Sequence, residues 1–374
     1  MRVQSRIEIP QDERPVTDGS RRPGGHQAPA KSGGYVMDNP LVSIITCTFN
    51  RAGMLKETIS SILTQRYDPV ESIVIDDGST DGTADAMAAY TGKIRYYRQE
   101  NRGMEASLNF ACRRLARGEY IAINDDDDIM LPYRISRLCG ALLRFPRAVL
   151  AVGDVEIIDA QGGRGGVLNT FNAVGRPDRP ILIENGYEAI LWPLITPVPC
   201  ATIFRRADGE RVGWFDEGFR RGSDTDFFGR LARLGPIVYV PEVVACYRRG
   251  HPSKWDGRPE NRLLCELANA MLFEKHLKFM YAGGRKIRDR LKTRMLCALE
   301  RLAFLRANGE ALPGEDMPNG TETVAVRKGL SALDMKRRLY YEWYLRVRLP
   351  LAAAVKRALK KVRAAAACPA KGGK

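Results

Sequence analysis

The amino-acid sequence predicts an α/β fold in which a mainly parallel β-sheet is flanked by helices. From Pro40, short apolar runs alternate with helical periods: LVSIITCTF is followed by a helix with Leu55, Ile59, Ile62 and Leu63 on one face, and then by SIVI. The runs IRYY, YIAIN and VLAVGDVEI continue this alternation. Polar motifs follow two of these strands, which is where ligands bind in such sheets.

Three segments of the chain differ in composition. Residues 1–38 mix Arg, Asp, Gly, Pro and Gln with little apolar periodicity, which predicts a disordered leader. Residues 39–258 carry the alternation and form the predicted main domain, and residues 259–374 are predicted to be a basic helical C-terminal region. The Gly- and Pro-rich stretch from about Gln161 to Pro180 is predicted to be a mobile loop over the site.

Composition limits the class of protein. Hydrophobic residues make up 44% of the 374 residues and charged residues 28%, a balance typical of a soluble globular protein rather than of a disordered or membrane-spanning one. We find no apolar run of about 18 residues and no charged-then-apolar leader. We therefore expect the protein in the cytoplasm, either free or attached peripherally to the inner face of the cytoplasmic membrane.

Charge and cysteine content indicate the kind of partner and the role of the cysteines. A net charge of +15 predicts attraction to an acidic partner: nucleic acid, an anionic membrane surface or a phosphorylated substrate. The cysteines show no paired spacing typical of a zinc site or a disulfide framework, so we expect small buried apolar residues. They are Cys47, Cys112, Cys139, Cys200, Cys246, Cys265, Cys297 and Cys368.

The first polar motif, IDDGSTDGT, follows the strand SIVI. Turn formation and helix capping fully explain Asp81 and Thr83. For Asp77 we favour a functional role, because a carboxylate at the end of a strand beside a second Asp needs hydrogen-bond donors, which a base or ribose can supply.

The second motif is the run Asp125 to Asp128 after the strand YIAIN. Adjacent carboxylates repel one another, and such a cluster at a strand end favours a hard divalent cation held by one or two carboxylates and by substrate phosphates. The alternative is a solvated acidic loop. The position of the run, between an apolar strand and IMLP, favours the cation.

Two weaker motifs lie closer to the C terminus. Residues 222–231 contain Asp224 and Asp226, which suit either a catalytic role or the acidic first turn of a helix, at equal weight. Residues 247–253 form a basic stretch with His251, which either binds a pyrophosphate or lies at the surface.

Taken together, SIITCTFNR, IDDGSTDGT, GEYIAINDDDDIMLP and GSDTDFFGR resemble family 2 glycosyltransferases in order and spacing, over roughly Pro40 to Ser253. The resemblance implies a GT-A nucleotide-diphospho-sugar transferase fold, with residues 39–258 as the catalytic domain. It also implies a nucleotide-diphosphate donor (we expect a UDP-sugar), Mn²⁺ or Mg²⁺ as the cofactor, and inversion at the anomeric carbon. A hydroxyl of a glycan or lipid-linked glycan is the expected acceptor.

The resemblance also assigns roles position by position. Asp77 matches the residue that contacts the base, Asp127 the metal ligand and Asp224 the general base. Cys47 and Phe49 match residues that line the base pocket, and Asp125 is expected at the ribose. The positions expected to border the nucleotide-sugar are Cys47, Phe49, Arg51, Asn101, Arg102, Asp125 and Asp126. His251 is a second candidate metal ligand. Three residues depart from the family pattern: Asn124, Asp126 and Ser223.

Other functions fit the sequence less well. The first strand is followed by FNRAGML rather than the G-x-G-x-x-G turn of a dehydrogenase, and no P-loop is present. A basic nucleic-acid-binding protein would explain the charge, but no zinc-finger or RNA-binding signature occurs, and we expect no nucleic-acid partner. A catalytically inactive scaffold of the same family is the remaining alternative. Retention of the acidic run and of Asp224 argues against it.

The C-terminal tail combines many Lys and Arg residues with apolar residues at near-helical spacing, and Pro350 should divide it into two helices. Such a basic amphipathic segment either lies in an anionic membrane interface or packs on the catalytic domain, at equal weight.

Overall fold

A computed structural model describes residues 39–172, 176–219 and 221–250, together with part of a helix between Cys265 and His276. The predicted leader, most of the predicted C-terminal region, its basic tail and His251 lie outside the described residues. The domain limits at 38 and 258 and the membrane hypothesis therefore stay predictions. Within the described part of the chain, no helix combines the length and apolar character needed to cross a bilayer.

The described strands form one ten-stranded sheet in the order β3-β2-β1-β4-β9-β6-β10-β5, with β7 paired to β6 and β8 to β10. The strands are β1 (Val42–Thr48), β2 (Val70–Asp76), β3 (Arg95–Arg98), β4 (Tyr120–Ile123), β5 (Ile129–Met130), β6 (Leu150–Ile158), β7 (Arg164–Leu168), β8 (Ile181–Ile183), β9 (Thr202–Arg205) and β10 (Ile237–Arg248).

Helices accompany the strands along the chain. They are α1 (Ala52–Ile62), α2 (Thr83–Ala88), α3 (Met104–Phe110), which continues into a π-helical turn (Ala111–Leu115), α4 (Arg134–Arg144), α5 (Gly186–Leu191), α6 (Arg206–Val212) and α7 (Ser223–Leu231). A short 3₁₀ turn (Pro199–Ala201) precedes β9.

Half of the sheet is parallel, as predicted. Strands β3, β2, β1 and β4 run in the same direction, with Thr48 opposite Asp76 and Ile45 opposite Ile123. The other half is antiparallel: β9 opposes both β4 and β6, and β10 opposes β5 and β8. The sheet is thus mixed rather than mainly parallel. Apolar periodicity reports which residues are buried and carries no information on strand direction, so the sequence did not separate the two halves.

The predicted apolar face of α1 is largely confirmed. Leu55, Ile59 and Ile62 are buried, whereas Leu63 is 40% exposed because α1 ends at Ile62 and Leu63 is its C-cap. The segment predicted as a loop from Gln161 to Pro180 differs, since it contains the exposed strand β7. Three of the five residues of β7 are Arg or Gly, so the strand shows no apolar pattern in the sequence.

The described chain divides into two compact units. One comprises the described residues up to Ile157 with Gly166–Val212 and Gly229–Tyr247, and it contains most of the sheet. The other comprises Ile158–Gly165, Gly213–Phe228 and the described residues from Arg248 onward. The second unit has its own aromatic cluster, in which Phe227 stacks on Phe215 and Trp214.

A close backbone approach fixes the entry to β4. A Cβ atom at Gly118 would lie 2.5 Å from Ser43 N and 2.8 Å from Leu41 O, both of them backbone atoms of the neighbouring strand region. The Gly118 N–H also donates to Ser43 Oγ at 2.8 Å. Only glycine fits this contact without movement of the chain.

We expect Gly118→Ala to lower the free energy of unfolding by about 1–3 kcal/mol, because the added methyl group meets backbone that cannot move aside. Urea denaturation measures this change. The matched control is Gly140→Ala in α4, where a Cβ meets nothing within 4 Å. There the better helix propensity of Ala should raise stability by about 0.5–1 kcal/mol. Equal effects of the two substitutions would contradict this account.

Candidate functional site

Three polar loops leave the sheet side by side. Strands β1, β2 and β4 are parallel neighbours, so the loops that follow Thr48, Asp76 and Ile123 begin at the same edge. Backbone bonds tie them together: Asp77 N donates to Thr48 O at 2.9 Å, and Asn124 N donates to Ile45 O at 3.0 Å. The edge that the sequence predicted for ligand binding therefore gathers the first two motifs.

Arg51 joins the first loop to the acidic run. Its Nη1 donates to Asp126 Oδ1 at 3.0 Å and forms a very short contact with Asp127 Oδ2. Thr48 Oγ1 donates to the other oxygen of Asp126 at 2.8 Å. Burial raises the pKa of Asp126 to about 6; Arg51 opposes this rise and Asp127 adds to it. The pair of adjacent carboxylates is thus stabilised from one side by a single guanidinium group.

The four aspartates of the run have two different environments. Asp126 and Asp128 are buried, whereas Asp125 and Asp127 are half-buried. The backbone oxygen of Asp128 accepts bonds from Thr58 Oγ1 at 3.0 Å and from Asn124 Nδ2 at 3.2 Å, so this residue is bound into the base of the loop. The two residues with access to solvent are those expected at the ribose and at the metal.

The donor set fits a divalent cation that substrate completes. Within residues 39–172, 176–219 and 221–250, no group of three or more His, Cys, Asp or Glu side chains could by itself hold a metal ion. Magnesium and manganese commonly use one or two carboxylates together with substrate phosphates rather than a full protein cage. Asp127, with 13% of its side chain exposed, suits such a site.

Asp77 is buried and receives its hydrogen bonds from the protein. Its Oδ1 accepts bonds from Gln99 Nε2 at 3.0 Å, Arg102 N at 2.9 Å and Ser107 Oγ at 2.8 Å, and its Oδ2 accepts one from Gly103 N at 2.8 Å. From the sequence we expect a base or ribose to supply the hydrogen-bond donors to Asp77, whereas the protein itself supplies four of them. Each carboxylate oxygen has two lone-pair sites, so Oδ2 retains acceptor capacity.

Asp77 also fixes the loop that carries two further predicted site residues, Asn101 and Arg102. Because the backbone N–H groups of Arg102 and Gly103 bond to Asp77, the carboxylate fixes the loop that leads into α3. Asn101 and Arg102 are exposed on that loop. Their predicted contact with the nucleotide therefore depends on Asp77 as much as on their own side chains.

Cys47 and Phe49, predicted to line the base pocket, lie at the end of β1. The Cys47 thiol is half-buried, and its pKa is raised first by burial and then by Asp126 and Asp77, so the group is neutral. Phe49 is 46% exposed, so its ring is accessible to a stacked partner. Both side chains therefore suit contact with a flat, neutral ring.

The assignment of Asp81 and Thr83 to turn formation is confirmed. Asp81 Oδ1 accepts bonds from Thr83 N at 3.2 Å and Thr83 Oγ1 at 2.5 Å, while Asp81 Oδ2 accepts one from Ala52 N at 3.0 Å. One carboxylate thus serves the starts of both α1 and α2. Asn50, with φ of 54°, completes the turn by accepting a bond from Thr80 N at 2.7 Å.

Sequence reasoning missed Arg134, a fully buried guanidinium group behind the acidic run. It donates to Asn124 Oδ1 and Ile123 O at 2.7 Å, and to Pro199 O and Thr202 O at 3.1 Å. Burial lowers its pKa to about 10, which leaves it charged at neutral pH. Arg134 also accounts for Asn124, since the amide at this unusual position binds the guanidinium. The available signal was a charged residue on the apolar face of a helix.

Asp224 lies in the second unit, in the first turn of α7. It is half-buried, and its Oδ1 accepts a bond from Thr225 N at 2.7 Å. Asp226, two residues later, is fully buried and paired with Lys275. Lys275 is a second residue that sequence reasoning missed, because it is one of many Lys residues in a basic helical region.

Comparison with known proteins identifies the class. The structure of this chain superimposes on that of S. aureus TarS residues 1–349 in complex with UDP-GlcNAc with a TM-score of 0.54, covering 82% of this chain and 88% of the TarS 1–349 chain at 17% identity. The fold is therefore that of GT-A glycosyltransferases, which confirms the predicted fold class.

The family follows from sequence. The profile of Glycosyl transferase family 2 matches residues 43–216. An uncharacterised glycosyltransferase of Haemophilus influenzae is 30% identical over 219 residues, which are 57% of this chain and 67% of that protein. Chondroitin synthase of Escherichia coli is 28% identical over 223 residues, or 56% of this chain and 29% of the synthase. The chain belongs to glycosyl transferase family 2.

The chain spans only part of several relatives. It covers between about a third and two thirds of the length of three curated relatives that it matches.

We expect Arg134→Lys to lower the free energy of unfolding by about 3 kcal/mol or more, because a lysine cannot reach four acceptors and leaves buried carbonyl groups without donors. Chemical denaturation measures the change. Arg137→Lys is the control on the same helix: its ion pair with Glu242 is exposed, and a change within about 0.5 kcal/mol is expected. A comparable loss in both variants would show that Arg134 has no special role.

Proposed function

We propose that this protein is a metal-dependent inverting glycosyltransferase that moves a sugar from a nucleotide-diphosphate donor, a UDP-sugar, to a hydroxyl group of a glycan or lipid-linked glycan. The observation that carries the proposal is the meeting of Thr48, Arg51, Asp77, Asp126 and Asp127 at one edge of the sheet. Base, ribose and diphosphate each find suitable chemistry there.

Asp77 and the end of β1 suit the nucleoside. Acceptor capacity at Asp77 Oδ2 selects a base that presents an N–H group, and Phe49 offers an aromatic face beside it. The TarS structure in complex with UDP-GlcNAc has the same fold and supports a uridine donor. Asp125, half-buried at the start of the acidic run, is the proposed ribose contact.

Asp127 and Arg51 suit the diphosphate. Asp127 is the proposed ligand of Mn²⁺ or Mg²⁺, and a bound divalent cation would stabilise the negative charge that the leaving diphosphate gains. Arg51 adds a permanent positive charge within reach of the same place, and its planar guanidinium group is suited to phosphate oxygens.

Asp224 is the proposed general base. An acceptor hydroxyl is a poor nucleophile at neutral pH, so a carboxylate must take its proton as the oxygen attacks the anomeric carbon and the bond to the diphosphate breaks. Inversion requires no nucleophile from the protein. Asp216 and Asp226 are the nearest alternatives in sequence, and both are paired with Lys275.

The acceptor is assigned more broadly. The similarity to chondroitin synthase supports a glycan chain, since that protein's name states such a product. An inactive scaffold would not need the half-buried Asp125, Asp127 and Asp224.

The first test of function is a thermal-shift panel with UDP, GDP and dTDP, each with and without Mn²⁺. A ligand that binds only the folded protein raises Tm, and we expect the largest rise with UDP and Mn²⁺ together. Asp127→Asn should remove the Mn²⁺-dependent part of this rise without lowering Tm of the free protein. Asp85→Asn, an exposed change in α2, should leave the rise intact. A full response in Asp127→Asn would move the metal to another aspartate.

The second test addresses the base. We expect Asp224→Asn to keep the UDP and Mn²⁺ response while kcat for UDP release from UDP-GlcNAc, measured with a panel of soluble oligosaccharide acceptors, falls about 100-fold or more. The amide preserves size but cannot accept the proton. Turnover within a few-fold of the unmodified protein would remove Asp224 from the mechanism.

A further inference from the structure

A buried charge cluster joins the C-terminal helical segment to the helix that carries Asp224. Lys275 Nζ lies 2.6 Å from Asp216 Oδ2 and 2.9 Å from the carboxylate oxygens of Asp226. His276 Nε2 lies 3.3 Å from Asp226 Oδ1. All four residues belong to the second unit.

Asp226 cannot stay ionised in this position without such partners. Its side chain is fully buried in the first turn of α7, next to the stacked ring of Phe227. Moving a carboxylate out of water is costly unless an opposite charge compensates it at close range. The compensating charge comes from Lys275, 49 residues further along the chain.

The helical segment that supplies Lys275 is itself anchored. Leu272, Phe273 and His276 are buried, and their spacing places them on one face of a helix. The Lys275 side chain also lies over the ring of Phe219, with Nζ 5.0 Å from its centroid. The ammonium group is therefore held by packing as well as by charge, and it is not a solvated surface lysine.

Lys275 contacts residues on both sides of Asp224 in the chain. Lys275 binds Asp216, in the loop before α7, and Asp226, two residues after Asp224. A single ammonium group thus cross-links the segments on both sides of the proposed base. A shift of the backbone that carries Asp224 would therefore strain these two ion pairs.

We infer that Lys275 is a positioning residue for transfer: through Asp216 and Asp226 it sets the place of Asp224, so that the helical segment that carries Lys275 is required for the chemical step and not for donor binding. The inference rests on the proposed role of Asp224. A general base acts only within hydrogen-bond reach of the acceptor, and a misplacement of about 1 Å can reduce the rate about 100-fold. The residues proposed to bind the donor lie in the first unit, away from this cluster in the chain.

The test compares Lys275→Ala, Lys275→Arg and the control Lys93→Ala, an exposed lysine of the first unit. Hydrogen exchange should increase in Lys275→Ala over residues 213–228 and stay unchanged around β1, β2 and β4. The Tm rise with UDP and Mn²⁺ should be retained. UDP release from UDP-GlcNAc with acceptor should show kcat reduced about tenfold or more with KM for the donor unchanged. Lys275→Arg should restore most of kcat, and Lys93→Ala should match the unmodified protein.

A second variant, Asp216→Asn, tests the inference if Lys275→Ala fails to fold. Asp216→Asn removes one half of the bridge at a carboxylate that is 39% exposed, and it leaves Asp226 paired. It should lower kcat in the same direction and by a smaller factor. Unchanged exchange over residues 213–228, or equal loss of donor binding and kcat, would overturn the inference. Normal kcat in Lys275→Ala with an inactive Asp224→Asn would overturn it while the proposed base stands. Reduced kcat in Lys275→Ala with a fully active Asp224→Asn would instead refute the proposed base.

Discussion

Burial of carboxylates at the end of a parallel sheet is the constraint on which the candidate site depends. Each acid there needs donors, because an ion removed from water without partners costs several kcal/mol. Asp76 bonds to Ser79 N at 2.7 Å and to the Tyr96 hydroxyl, and Asp126 bonds to Thr48 and Arg51. Asp77 takes the donors of the loop before α3. The loops of the site are therefore shaped by the acids that they surround.

Two arginines supply positive charge close to the acidic run. Arg51 in the first loop binds the acidic run directly, whereas Arg134 binds Asn124 and the backbone at the end of β4, just before the run. The two arginines differ in surroundings. Arg134 is sealed among carbonyl groups and serves the fold, whereas Arg51 is partly exposed and can contact a ligand. One arginine thus supports the fold beneath the acidic run, and the other contributes to the proposed binding surface.

The sequence could predict what depends on local pattern. The strands before each acidic motif, the buried face of α1 and the turn role of Asp81 all follow from periodicity or turn chemistry. Patterns of this kind contain no pairing information. The antiparallel half of the sheet, the exposed strand β7, the four protein donors to Asp77, and the contacts of Arg134 and Lys275 join residues distant in the chain. A basic residue in a helix has the same local signature whether it is solvated or paired with a buried acid.

One pattern recurs in both units: a buried acid lies within two residues of a half-buried acid that is a proposed site residue. In the run Asp125 to Asp128, buried and half-buried residues alternate, and on α7 the buried Asp226 follows the half-buried Asp224. An acid that is sealed among protein donors has little remaining capacity to bind a cation or take a proton. A half-buried acid keeps solvent access and is still held in place by its buried neighbour. In each case the buried acid helps to fix the backbone that also carries its half-buried neighbour.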